Sequence, residues 1–142
     1  MNKVYPKWSE LPNLDLYLDQ VLLYVNQLDS SSIVDDDKGL TSAMINNYVK
    51  NGHLDKPIKK KYNRKQLARL IVITCLKNVF SIQEISKTIN SLTSDGSSEE
   101  MYDNFVMCMN GEKRDGLADV IVAACDTVRL YKKTHDLVEK LK

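Results

Sequence analysis

Cysteine is scarce and scattered in this chain. Cys75, Cys108 and Cys125 are odd in number, and no C-x-x-C pair occurs. The two histidines, His53 and His135, lie far from any of them. This pattern argues against a disulfide framework or a zinc site, and each cysteine sits in an apolar stretch where a reduced core thiol is expected. Proline (3) and glycine (5) are also sparse, which excludes collagen-like and proline-rich character. Long apolar runs are missing too. The longest, Leu67 to Phe80, carries Arg69 and Lys77 and is too short and too charged to span a bilayer. The opening residues MNKVYPKWSELP lack the apolar core of a signal peptide, so a cytoplasmic protein with no membrane association is expected. Enzyme signatures are absent as well: there is no phosphate-cradling glycine loop, no H-E-x-x-H and no G-x-S-x-G. The run Asp35-Asp36-Asp37 lacks the alternate spacing of a calcium loop. No enzyme, cofactor or metal is expected.

Net charge is only +1, so the whole chain points to no partner, but the distribution does. From Ser9 to Asp37 there are seven acids (Glu10, Asp15, Asp19, Asp29, Asp35, Asp36, Asp37) and no Lys or Arg. From Lys50 to Arg69 there are eight bases (Lys50, Lys56, Lys59, Lys60, Lys61, Arg64, Lys65, Arg69) against Asp55. Such asymmetry points to an anionic partner.

Periodicity predicts a mainly α chain. Residues 1–12 read as an arm broken by Pro6 and Pro12 and anchored by Trp8 and Leu11. A helix over about 14–28, capped by Asn13, carries the stripe Leu14, Tyr17, Leu18, Val21, Val25, Leu28. A polar loop (29–39) leads to a helix at about 41–51, with Thr41 as N-cap and Asn51-Gly52 as a left-handed stop. Its inner face is Ile45, Tyr48 and Val49. Its outer face is Ala43, Asn46, Asn47 and Lys50, small and polar enough for close approach. Residues 53–62 cannot be helical through Pro57 and read as a turn or short two-stranded wing. Capping boxes at Asn63/Gln66, Ser81/Glu84 and Ser97/Glu100 predict helices at about 63–78, 81–92 and 98–110. The first of these is apolar nearly all round and should be central. A last helix over about 116–140 carries a heptad-like seam of Leu117, Ile121, Ala124, Val128, Tyr131, His135 and Val138. That seam suits either a homodimer or packing on its own chain. The segment TSDGS at 93–97 divides the chain into residues 1–92 and a C-terminal helical hairpin, 93–142.

Residues Leu40 to Leu92 resemble the DNA-binding domain of MerR-type winged-helix regulators. The residues that carry the resemblance are Tyr48 and Gly52, then Pro57, Lys60 and Tyr62, then Leu67-Ala68-Arg69-Leu70, then Ser81-Ile82-Gln83-Glu84-Ile85. Residues 8–92 also resemble an uncharacterised bacterial family known as a domain of unknown function. The resemblance implies a MerR-like winged helix-turn-helix with additional C-terminal helices. It departs from the regulators at Asn46-Asn47-Tyr48, where they carry arginine-tyrosine-tyrosine, and in the wing, where lysines stand for glycine and arginine. Asparagine can still pair with adenine or a phosphate, while lysine keeps the charge without the bidentate fork.

The expectation is a DNA-binding transcriptional regulator. Asn46, Asn47 and Lys50 face the groove, and Thr41, Ser42, Lys59, Lys60, Lys61, Tyr62 and Arg64 hold the backbone. The alternative is a protein-interaction module that keeps the winged-helix shape without binding DNA. The pattern names no small-molecule effector.

Overall fold

The structure, a computed structural model, describes residues 5–28 and 39–141. Among these it is mainly α, as the periodicity predicts. The helices are α1 (Leu18–Leu28), α2 (Ser42–Lys50), α3 (Arg64–Leu76), α4 (Ile82–Leu92), α5 (Ser98–Met109) and α6 (Asp119–Glu139). Two strands, β1 (Leu16–Tyr17) and β2 (Lys61–Tyr62), pair antiparallel. A single 3-10 turn, Trp8–Glu10, precedes them. Much of the expected polar loop, including Asp29 and Asp35-Asp36-Asp37, lies outside the described residues.

Helix α3 is the core, as its apolar circumference requires. Leu67, Leu70, Ile71, Val72, Ile73 and Leu76 are all buried, and α1, α4, α5 and α6 pack around it. Each fully buried Leu or Ile contributes roughly 1.5–3 kcal/mol of transfer free energy. Two of the expected capping boxes form. The Asn63 side chain accepts from Gln66 N–H while Gln66 reaches back, and Ser81 and Glu84 do the same for α4. The third does not form at Ser97. Its hydroxyl bonds Asp95 and the Leu92 carbonyl at the end of α4, so α5 starts without a side-chain cap.

The first helix is shorter than periodicity suggests. Leu16 and Tyr17 are extended because they pair with Tyr62 and Lys61, a partner that no local pattern reveals. Asn13 caps nothing and instead accepts a hydrogen bond from Arg64 Nη2 at 2.9 Å. The helix begins where Gln20 Oε1 accepts from the Tyr17 amide, 2.8 Å away.

The arm docks on α5. Tyr5 N–H donates to Asn110 Oδ1 (2.8 Å), and Asn110 Nδ2 returns a bond to the Tyr5 carbonyl (3.0 Å). Trp8 N–H donates to Asp103 and Tyr102 OH to the Pro6 carbonyl, both at 2.8 Å. Leu11 is buried and Trp8 packs edge-on against Tyr102. Buried residues on both sides of the 93–97 segment thus form one continuous core.

A second closure joins α1 to the start of α2. The Asn26 amide bonds both the N–H and the carbonyl of Leu40, each at 2.9 Å. Gly39 beside it has φ +65°, and a Cβ there would meet Asn26 Oδ1 at 2.5 Å. Only glycine suits both demands.

Helix α6 starts at Asp119 rather than 116. Its expected seam splits in two: Leu117, Ile121 and Val128 are buried, whereas Tyr131 and Val138 are exposed. No helix among the described residues is long and apolar enough to cross a membrane.

Candidate nucleic-acid interface

Helix α2 is amphipathic in the sense the sequence requires. Thr41 caps it, its hydroxyl accepting from Met44 N–H at 3.2 Å. Ile45 is fully buried, and Met44, Tyr48 and Val49 pack against the core. Burial pushes the Tyr48 phenol up from its ordinary range. The opposite face presents Ser42, Ala43, Asn46, Asn47 and Lys50 to solvent. The helix stops at Gly52, whose φ is +79°. There His53 N–H and Leu54 N–H both donate to the Tyr48 carbonyl, at 2.8 and 3.2 Å.

The segment that follows is pinned to α3 by two side chains. Gln66 Nε2 donates to the carbonyls of Asp55 (2.9 Å) and Lys56 (3.0 Å), while its Oε1 accepts from Asn63 N–H (2.7 Å). Arg69 Nε donates to the His53 carbonyl (2.6 Å) and its Nη2 to the buried Ser86 hydroxyl on α4 (2.9 Å). Burial lowers the Arg69 pKa, which the Asp55 carboxylate partly opposes. Sequence reasoning noted Gln66 only as a cap and Arg69 only within a pattern. A cation and an amide inside an apolar helix were the available signal, since buried polar groups need partners.

The hairpin itself is minimal. Ile58 and Lys61 exchange two backbone hydrogen bonds, both 3.0 Å, across a two-residue loop. That loop is Lys59-Lys60, at φ +52° and +69°. Two-residue hairpins favour turns that put both loop residues at positive φ, where Asn-Gly is comfortable and lysine is not. Lys59 and Lys60 are exposed at the tip. Among the described residues, no carboxylate pairs with Lys50, Lys56, Lys59, Lys60 or Lys65.

Not every expected contact faces outward. Tyr62 is 4% exposed, because β2 turns it into the core, and desolvation pushes its phenol up. It is therefore removed from the contact surface. Arg64 is turned toward the arm, with Nη2 on Asn13 Oδ1 and the Leu11 carbonyl (3.5 Å), so it braces the arm instead of gripping a backbone. Lys61 lies half-buried with its ammonium 5.0 Å above the Tyr17 ring. Thr41 is half-buried and occupied as a cap. Ser42, Asn46, Asn47, Lys50, Lys59 and Lys60 are exposed, and Lys56 and Lys65 join them.

A family model matches residues 6–105, most of the chain. The chain belongs to the family described as a domain of unknown function, DUF1836. No curated protein and no solved structure matches it. The DUF1836 match takes in the arm, the β1–β2 pair, the α2 face and the lysine hairpin. It ends at Phe105 within α5, so all of α6 lies beyond the DUF1836 region.

Proposed function

We propose that this chain is a cytoplasmic DNA-binding transcriptional regulator whose residues 40–92 act as a MerR-like winged helix-turn-helix. The outer face of α2 enters a groove, with Asn46, Asn47 and Lys50 toward the bases. Lys59 and Lys60 at the hairpin tip reach the phosphates. A second copy of the chain completes the regulator on paired half-sites.

The observation that carries this reading is the placement of two lysines in the left-handed loop of a two-residue hairpin. Each L-residue there costs about 1 kcal/mol relative to glycine. The two sites therefore hold positive charge against conformational preference. Backbone strain of this kind concentrates where a side chain has work outside the fold. The surrounding lysines are exposed and lack carboxylate partners among the described residues, which leaves them available to an external polyanion. Gln66 and Arg69 fix the segment that carries them, so little ordering is required on contact.

The test is binding to mixed DNA fragments across a salt series. With the four lysines other than Lys50 (Lys56, Lys59, Lys60 and Lys65) on phosphates, log K should fall against log salt with a slope near −3.6, from about −0.9 per phosphate. The variant Lys59→Ala/Lys60→Ala should lower the slope by roughly 2 at unchanged helicity. A folded protein that shows no DNA binding at low salt would overturn the reading.

A further inference from the structure

Helices α4 and α6 both pack on α3 but barely meet each other, and an apolar cleft of about 260 Å³ lies between them. Its floor is Val72 and Leu76 of α3, Ile85 and Ile89 of α4, Phe105 of α5 and Ile121 of α6, all buried. The α6 wall is Ala123, Ala124 and Thr127, side chains too short to close the gap. The three polar side chains in the lining are already engaged. Thr88 Oγ1 donates to the Glu84 carbonyl and Thr127 Oγ1 to the Ala123 carbonyl, each at 2.8 Å, which leaves their methyls for the cleft. Glu84 is taken up in capping α4, its Oε1 accepting from Ser81 N–H and Ser81 Oγ, both at 3.3 Å. Water in such a cleft finds few partners, so an apolar ligand displaces it favourably.

The mouth has a different chemistry. A more open hollow of about 410 Å³ continues from the cleft past Thr88, Leu92 and Val120, and Lys87 and Ser91 stand on its rim. Lys87 is exposed, and among the described residues no carboxylate pairs with it. Glu84 also borders the hollow, but its carboxylate is drawn to the Ser81 end of α4. Across the hollow, α6 begins at Asp119 with no side-chain cap from Ala118. The amides of Asp119 and Val120 have no acceptor among the described residues, and Val120 borders both spaces. Free amides at the positive end of a helix dipole favour an anion. Asp119 itself lines neither space. An apolar cleft that opens among an ammonium and amide donors fits a hydrocarbon tail with an anionic head.

We propose that this cleft binds a straight-chain alkyl carboxylate, its tail between α4 and α6 and its carboxylate at Lys87 and the first turn of α6. Volume sets the chain length. A benzene fits an apolar cavity of about 150 Å³, so in proportion to its carbons a space of about 260 Å³ takes a tail of about ten carbons. The site is separate from the α2 face and the lysine hairpin, and it stands whether or not those bind DNA.

The experiment is isothermal titration calorimetry of the full chain with hexanoate, octanoate, decanoate and dodecanoate. Each buried methylene should tighten binding about fourfold, so the step from octanoate to decanoate should gain about 15-fold. The gain should flatten from decanoate to dodecanoate, where the tail outgrows the cleft. Ala123→Phe sets a ring into the cleft from an exposed position. It should weaken decanoate at least about tenfold, the loss of roughly two buried methylenes, at unchanged helical circular dichroism. Lys87→Glu should weaken decanoate by about tenfold and reverse the preference for decanoate over decylamine. No heat with decanoate at millimolar ligand, indifference to chain length, or undiminished binding to Ala123→Phe overturns the proposal. Equal affinity for decanoate and decylamine in both the wild-type chain and Lys87→Glu overturns the anionic head. Absent decanoate binding, together with a sedimenting mass that rises with protein concentration, gives the cleft to a protein surface instead.

Discussion

A lysine in the left-handed region works against its own backbone, and Lys59 and Lys60 do so side by side. Replacing them with the residues that a two-residue turn prefers separates stability from binding. Lys59→Asn/Lys60→Gly should raise unfolding free energy by about 1 kcal/mol, visible as a higher melting temperature. The same variant should bind DNA more weakly, with the salt slope reduced by about 2. Stabilisation with unchanged binding would mean that the tip does not touch the polyanion. Residue-scale reading of the sequence found the charge at these positions. It could not find their φ angles, which the pairing of Ile58 with Lys61 imposes. Nor could it see that Tyr62, two residues from the tip, faces inward: the side chain's direction follows from the register of β2 against β1.

At the scale of elements, Gln66 is the residue through which α3 holds the hairpin. Its amide is fully engaged, accepting from Asn63 and donating to two carbonyls of the preceding segment. Gln66→Ala removes three part-buried hydrogen bonds and should cost about 2–3 kcal/mol in urea unfolding. A loss well below 1 kcal/mol would show that water replaces the amide freely. Helix starts with local caps, at Thr41, Asn63 and Ser81, were legible because the donor, acceptor and spacing all lie within four residues. The start of α1 was not, since β2 converts Leu16 and Tyr17 to strand from far along the chain. Ser97 misled for a related reason: Leu92 and Asp95 claim its hydroxyl before the Glu100 turn can. The heptad-like spacing expected of the last helix did not say where burial would end: Leu117, Ile121 and Val128 are buried, whereas Tyr131 and Val138 are exposed, because only the first part of α6 packs against α5 and α3, a matter of tertiary contact.

At the scale of the whole molecule, the arm and α5 are joined through Tyr102, whose buried hydroxyl donates to the Pro6 carbonyl. Burial is the main cause that pushes its phenol far above the ordinary range, helped by Tyr24, Asp103 and Glu10. Burial also raises Tyr24, Tyr48 and Tyr62. The folded state therefore keeps these phenols neutral, whereas the unfolded chain ionises them near pH 10. Because each folded pKa lies above its unfolded value, the stabilisation is complete below about pH 10 and declines as pH rises beyond it. Tyr102 alone should remove about 1.4 kcal/mol per pH unit in that range. Melting temperature against pH should thus be flat with respect to these groups at neutral pH and fall steeply in alkali. Tyr102→Phe keeps the ring but loses the bond to Pro6, so it should start about 1 kcal/mol less stable and fall less steeply above pH 10. Tyrosinate absorbance of the native protein supplies the independent measurement. If all seven tyrosines titrate near pH 10 while the helical signal persists, then Tyr102 is open to solvent and the arm does not seal α5.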